Sequence, residues 1–194
     1  MAPKPAGGGR STPRRRIAFH GLGLAIGSLP VGAVLGALGG RWDVPAAPAL
    51  VAWGTGALLY AAHEVRLWTL PHPQRARQVP ERWRRRYSPR VVAFAYGVLL
   101  GPGVLVFVRT AAFYFVVLGV LAAGSPGLGA AAFGLVAAGR LASPALGEAW
   151  RTRRGTLAGY LDACVLADNA ARLACGASLA ALGAAAVAFA LVTP

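Results

Sequence analysis

At 194 residues the chain is long enough for one domain, but 56% of it is hydrophobic and its mean hydropathy is +0.54, more apolar than a water-soluble domain usually is. Twenty lysines and arginines against six acidic residues give a formal charge of +14, which in a soluble protein would point to nucleic acid. The arginines instead fall in polar segments between long apolar runs, the positive-inside pattern, so the expected partner is the lipid bilayer and no nucleic acid.

The fold class expected is all-α: a polytopic transmembrane helix bundle of about five spans, multi-pass in a bacterial inner (plasma) membrane with its N-terminus in the cytoplasm. Residues 1–16, rich in Pro, Gly and Arg with no acid, read as a basic disordered cytoplasmic tail. TPRRRIAF with the following apolar run resembles a twin-arginine export signal, yet nothing after it reads as soluble, so Ile17 to Leu38 is taken as a retained first span. GGRWDVPAAP makes the outer turn, and Ala49 to Trp68 returns the chain inward, so residues 17–68 hold the first two transmembrane helices.

Residues 69–90 form a basic cytoplasmic loop in which Arg75, Arg77, Arg82, Arg84, Arg85, Arg86 and Arg90 face only Glu81, and four prolines oppose one regular helix. RWRRRY, which interleaves arginine with aromatics, suits a lipid surface, and Arg82, Arg84, Arg85 and Arg86 are assigned to anionic lipid headgroups.

Val91 to Ala123, about 33 residues and close to 50 Å if helical throughout, is too long for one straight span. Two short spans would put Arg151, Arg153 and Arg154 outside, so a single span interrupted near Pro102 is expected. Pro102 lacks an amide hydrogen, Gly101 and Gly103 tolerate unusual backbone angles, and freed backbone at that depth must be sheltered by protein or a water-filled cavity. A substrate pathway would therefore run past Gly101, Pro102, Gly103, Arg109 and Thr110, with Arg109 the cation for an anionic substrate; an interfacial or ion-paired Arg109 is the alternative.

A fourth span, Leu128 to Ala142, follows the turn at Ser125 and Pro126 and ends near Arg140 at a SPALGEAWRTRRG loop. From Thr156 a helix starts amphipathic at the interface, with Asp168 and Arg172 at ion-pair spacing, and continues as the fifth span, Leu173 to Val192. Residues 91–194 thus carry three further transmembrane helices, including the broken span and the interfacial helix.

Glycines recur four apart from Gly23 to Gly27, Gly32 to Gly36, Gly36 to Gly40 and Gly97 to Gly101, a spacing that lets helix backbones approach closely in lipid. Cys164 and Cys175, about 16 Å apart on a continuous helix, are too distant to bridge. His20, His63, His72 and Glu64 could bind a metal or relay a proton, but no spacing among them is diagnostic, so no metal, no cofactor and no catalytic residue is assigned.

The stretch AFAYGVLLGPGVLVFVRTAAFYFVVLGVLAAGSPGLGAAAFGLVAAGRLASP resembles the second half of CcdA and DsbD-type membrane domains, and AFHGLGLAIGSLPVGAVLGALGG resembles their first helix. That resemblance implies a helical scaffold for thiol or electron transfer, although Pro30-Val31 and Pro102-Gly103-Val104 stand where that family keeps its redox cysteines. PQRARQVPERW with the following Gly-rich span also resembles uncharacterised actinobacterial membrane proteins, which implies no function. The expected function is transporter-like, with a polar pathway beside the discontinuous helix. Its alternative is a non-catalytic membrane subunit or assembly factor docking a protein partner or a second copy, and the third reading is a CcdA-like thiol or electron carrier.

Overall fold

The computed structural model of the chain describes residues 12–42, 45–71, 82–103 and 111–192. Among these the chain is all-helical, with no strand: α1 (Pro13–Gly39), α2 (Ala46–Glu64), the short α3 (Arg82–Arg86), α4 (Pro89–Leu100), α5 (Ala112–Ala123), α6 (Pro126–Arg154) and α7 (Leu157–Val192). Three of them, α1, α6 and α7, are long and apolar enough to cross a membrane by length and composition. The helix α2, 19 residues, is diluted by Pro48, Tyr60, His63 and Glu64, and α4 and α5, 12 residues each, are about 18 Å long and too short to cross alone.

Local chemistry sets the ends. Pro13, Pro89 and Pro126 open α1, α4 and α6, where a missing N–H costs nothing because the first amides have no intrahelical partner. The Ser125 hydroxyl accepts from the Leu128 N–H at 3.4 Å to cap α6, and Gly124, at φ +59°, closes α5 in the left-handed conformation.

Several boundaries depart from expectation. Arg14, Arg15 and Arg16 belong to the first turns of α1 rather than to a tail, and α2 stops at Glu64, short of Trp68. Most consequentially, α6 does not end at Ala142: it runs through Pro144 to Arg154, so the expected loop is helix and Arg140 lies at its midpoint. The last helix is one continuous 36-residue rod carrying both cysteines, neither of them in a disulfide.

Glycine contacts define the architecture. Gly23 and Gly27 on α1 meet the α4 backbone at Phe94 and Val98, while Gly97 and Gly101 on the α4 side meet α1 between His20 and Ser28. Further along, Gly32 and Gly36 press on Gly129 and Ser125, and Gly21 on Leu141, so α6 runs antiparallel to α1. Gly39 meets the Leu121 carbonyl near the end of α5. The two short helices therefore lie on successive halves of α1. At each of these contacts except that of Gly21, which meets the Leu141 side chain, a Cβ would strike main-chain atoms, which explains the four-residue spacing as packing.

A second pair, α2 and α7, packs antiparallel; a Cβ at Gly54 or at Gly183 would lie 2.7 Å from the other's carbonyl oxygen. The helix α5 joins the two groups. Phe115 faces Ala57, Ala61 and Leu179, whereas Phe113 and Val120 face Phe133 of α6. Leu22, Ile26, Val34, Leu135, Leu182 and Phe189 point outward and are exposed, the surface expected of helices bathed in acyl chains.

Candidate functional site: the secured helix break

The helix α4 stops at Leu100, and Gly101 and Pro102 turn the chain. Gly103 sits at φ +76°, and the ring of Phe113 fills the place of its missing side chain, so both conformation and space require glycine. Residues 104–110 are not described, and the chain resumes at Ala111, the cap of α5.

Interrupting a helix leaves carbonyls without partners on one side and amides on the other. The carbonyls at the end of α4 are met by two side chains from other helices. Ser28, fully buried at the middle of α1, donates its hydroxyl to the Gly101 carbonyl at 3.1 Å. Arg140 of α6 donates through Nη1 to the Leu100 carbonyl and, at 3.4 Å, to that of Gly101. Its guanidinium also lies 5.2 Å from the centre of the Phe113 ring, a cation–π contact. A cation at a helix C-terminus matches the negative end of the dipole.

The opposite arrangement holds the start of α5. Glu64, 2% exposed at the end of α2, accepts the Ala111 N–H at 2.9 Å through Oε1. Its other oxygen lies 3.6 Å from Nε of Arg172 on α7, beyond a good hydrogen bond, and neither atom has a hydrogen-bond partner among the described residues. An anion now stands at the positive end of a dipole, balanced by a partly exposed arginine. Nearby, the Trp53 indole donates to the Phe115 carbonyl at 2.9 Å, tying α2 to the first turn of α5.

Of the residues singled out from sequence, Gly101 and Gly103 are buried at the break and Pro102 is half-buried beside them. Arg109, Thr110 and His72 lie outside the described residues. Arg85 and Arg86 are exposed on α3, which also carries Arg82 and Arg84. His20 sits apart from the break, its Nδ1 3.1 Å from the Ala93 carbonyl, while His63 accepts the Leu70 N–H at 3.0 Å beside Glu64.

Sequence reasoning missed the roles of Ser28, Glu64, Arg140 and Arg172. One signal was present: if Pro144 is read as lying inside a helix, Arg140 becomes a mid-span cation in need of acceptors.

Fold and site together define a helical protein with three candidate membrane-spanning helices, in which side chains of opposite charge meet the end of one short helix and the start of the next. The chain is 31% identical over 172 residues to the methylamine utilization protein MauF of Methylorubrum extorquens, covering 83% of this chain and 60% of that protein. It is 32% identical over 176 residues to MauF of Paracoccus denitrificans, covering 85% and 61%, and 36% identical over 111 residues to that of Paracoccus versutus, covering 56% and 40%. The chain thus spans about three fifths of the length of the first two relatives. No protein-family model matches it, and no solved structure does.

These relatives overturn the resemblance to CcdA and DsbD-type domains. The geometry explains why that likeness misled: a glycine-proline break looks similar wherever it occurs, and both cysteines sit on α7, Cys164 exposed and Cys175 half-buried, rather than at Pro30 or Pro102.

Proposed function

We propose that the chain is a membrane accessory protein of methylamine utilization, a non-catalytic subunit or assembly factor that docks another protein of that system. The similarity to MauF proteins over more than four fifths of the chain carries this reading. The site supports it: the described polar side chains around the break, Ser28, Glu64, Arg140 and Arg172, are engaged with backbone ends and with one another, which suits a rigid platform better than a route for solute. This reading replaces the transporter-like one, since the relatives' name speaks of methylamine utilization and says nothing of transport. In this arrangement α4 and α5 cross the bilayer as one discontinuous span, with Arg85 and Arg86 of α3 at the anionic cytoplasmic surface.

Deleting the gene in a methylamine-growing host tests the proposal. Growth on methylamine, and methylamine-oxidising activity in extracts, should vanish and return with the chain supplied in trans, while growth on a nitrogen-free carbon source with ammonium is unchanged. Methylamine turnover by the purified chain alone would overturn the accessory reading, as would unimpaired growth of the deletion strain.

A further inference from the structure

A cleft of about 630 Å³ opens where α1 and α4 begin, with Arg16, Ile17, His20, Val92, Tyr96 and Pro144 among its walls, the nearest of them one helical turn from Leu100 and Arg140. Its composition is two-sided. Ile17, Val92 and Pro144 supply an apolar wall contributed by three helices, and Arg16 and Tyr96 supply a guanidinium and a phenol.

This end of the bundle is strongly basic. Arg14 and Arg15 precede Arg16 on α1, Arg85 and Arg86 lie on α3 just before α4, Arg90 is the second residue of α4, and Arg151 and Arg153 close α6. Glu148, the carboxylate near Arg16, is engaged by Arg151 through hydrogen bonds of 2.7 and 3.0 Å, so the arginines beside the cleft stay in excess.

We propose that this cleft is a seat for one anionic phospholipid, phosphatidylglycerol in chemical class, with Arg16 and Tyr96 on its phosphate and Ile17, Val92 and Pro144 against its glycerol and upper acyl carbons. Charge complementarity selects an anion, and the apolar wall selects one with a hydrocarbon part over free phosphate. A basic recess between helices at the membrane surface holds a single lipid, whereas the exposed arginines of α3 present only a diffuse field. This seat is independent of the accessory role.

Native mass spectrometry of the full chain in detergent containing phosphatidylglycerol or phosphatidylcholine tests it. One phosphatidylglycerol should stay bound per chain in preference to phosphatidylcholine, and excess inorganic phosphate should not displace it. Arg16→Ala should lower retention about tenfold, the loss of one charge-assisted contact of about 1.4 kcal/mol. Arg16→Lys should keep most of it. Val92→Trp fills the apolar wall while leaving every arginine in place, and should also lose the lipid at an unchanged melting temperature. Arg153→Ala should change nothing. Equal retention of both lipids, displacement by phosphate, or full retention in Arg16→Ala or Val92→Trp would overturn the proposal.

Discussion

The end of α4 and the start of α5 are secured unequally. The carbonyls closing α4 are served by two donors, Ser28 and Arg140, and Arg140 itself divides its contacts among Leu100, Gly101 and the Phe113 ring. Among the described residues, the amide opening α5 is met by one buried carboxylate, Glu64, which has one arginine 3.6 Å away. Redundancy protects the first end. Among the described residues the second is a chain of single links, and a buried carboxylate without its cation is among the costliest defects a protein can carry.

Breaking the second end should therefore have the largest effect. Arg172→Met leaves Glu64 buried and unpaired, and thermal unfolding in detergent should show a loss of about 3–5 kcal/mol. Adding Glu64→Gln should recover much of it, because an uncharged amide can still accept from Ala111 N–H; strictly additive losses would show that the two residues are not coupled.

Arg140→Met should cost less, about 1–3 kcal/mol for carbonyls left without a donor, since Ser28 still serves Gly101. Arg140→Lys should retain only part of the stability, as an ammonium lacks the planar fork that reaches two carbonyls while lying over a ring. If Arg140→Met proved worse than Arg172→Met in the same melt, the asymmetry argued above would be reversed.

Packing gives a third and fourth measure. Gly129→Val forces a side chain into the Gly32 carbonyl and should cost about 1–3 kcal/mol as overpacking between α1 and α6. Gly127→Ala, two residues earlier with open space around it, should stay within about 0.5 kcal/mol of the parent. Equal melting temperatures for these two variants would refute the close approach of α1 and α6.

The position of the break was legible because its cause is local: proline and glycine act on their own backbone, so Gly101-Pro102-Gly103 announces an interruption without knowledge of the fold. The glycine spacing likewise foretold close helix contacts, although not that α1 would use one stretch for α4 and the next for α6. What secures the break was hidden, since Glu64 reaches a backbone amide 47 residues away and Arg140 a carbonyl 40 residues away, pairings that no local pattern encodes. Pro144 compounded this. A proline ordinarily kinks or ends a helix, yet α6 continues through Pro144, so the boundary expected near Ala142 falls inside the helix and Arg140 becomes its central residue.

The dependence of α4 on Arg140 also fixes an order of events during synthesis. The residue that relieves the Leu100 carbonyl is made 40 positions after it, in a different helix. Until α6 has left the ribosome, Ser28 can serve the Gly101 carbonyl but the Leu100 carbonyl has no donor, so the end of α4 is fully secured only after the segment that follows it. Chains truncated before Arg140 should accordingly be degraded as unassembled, whereas chains released just beyond α6 should already hold the break.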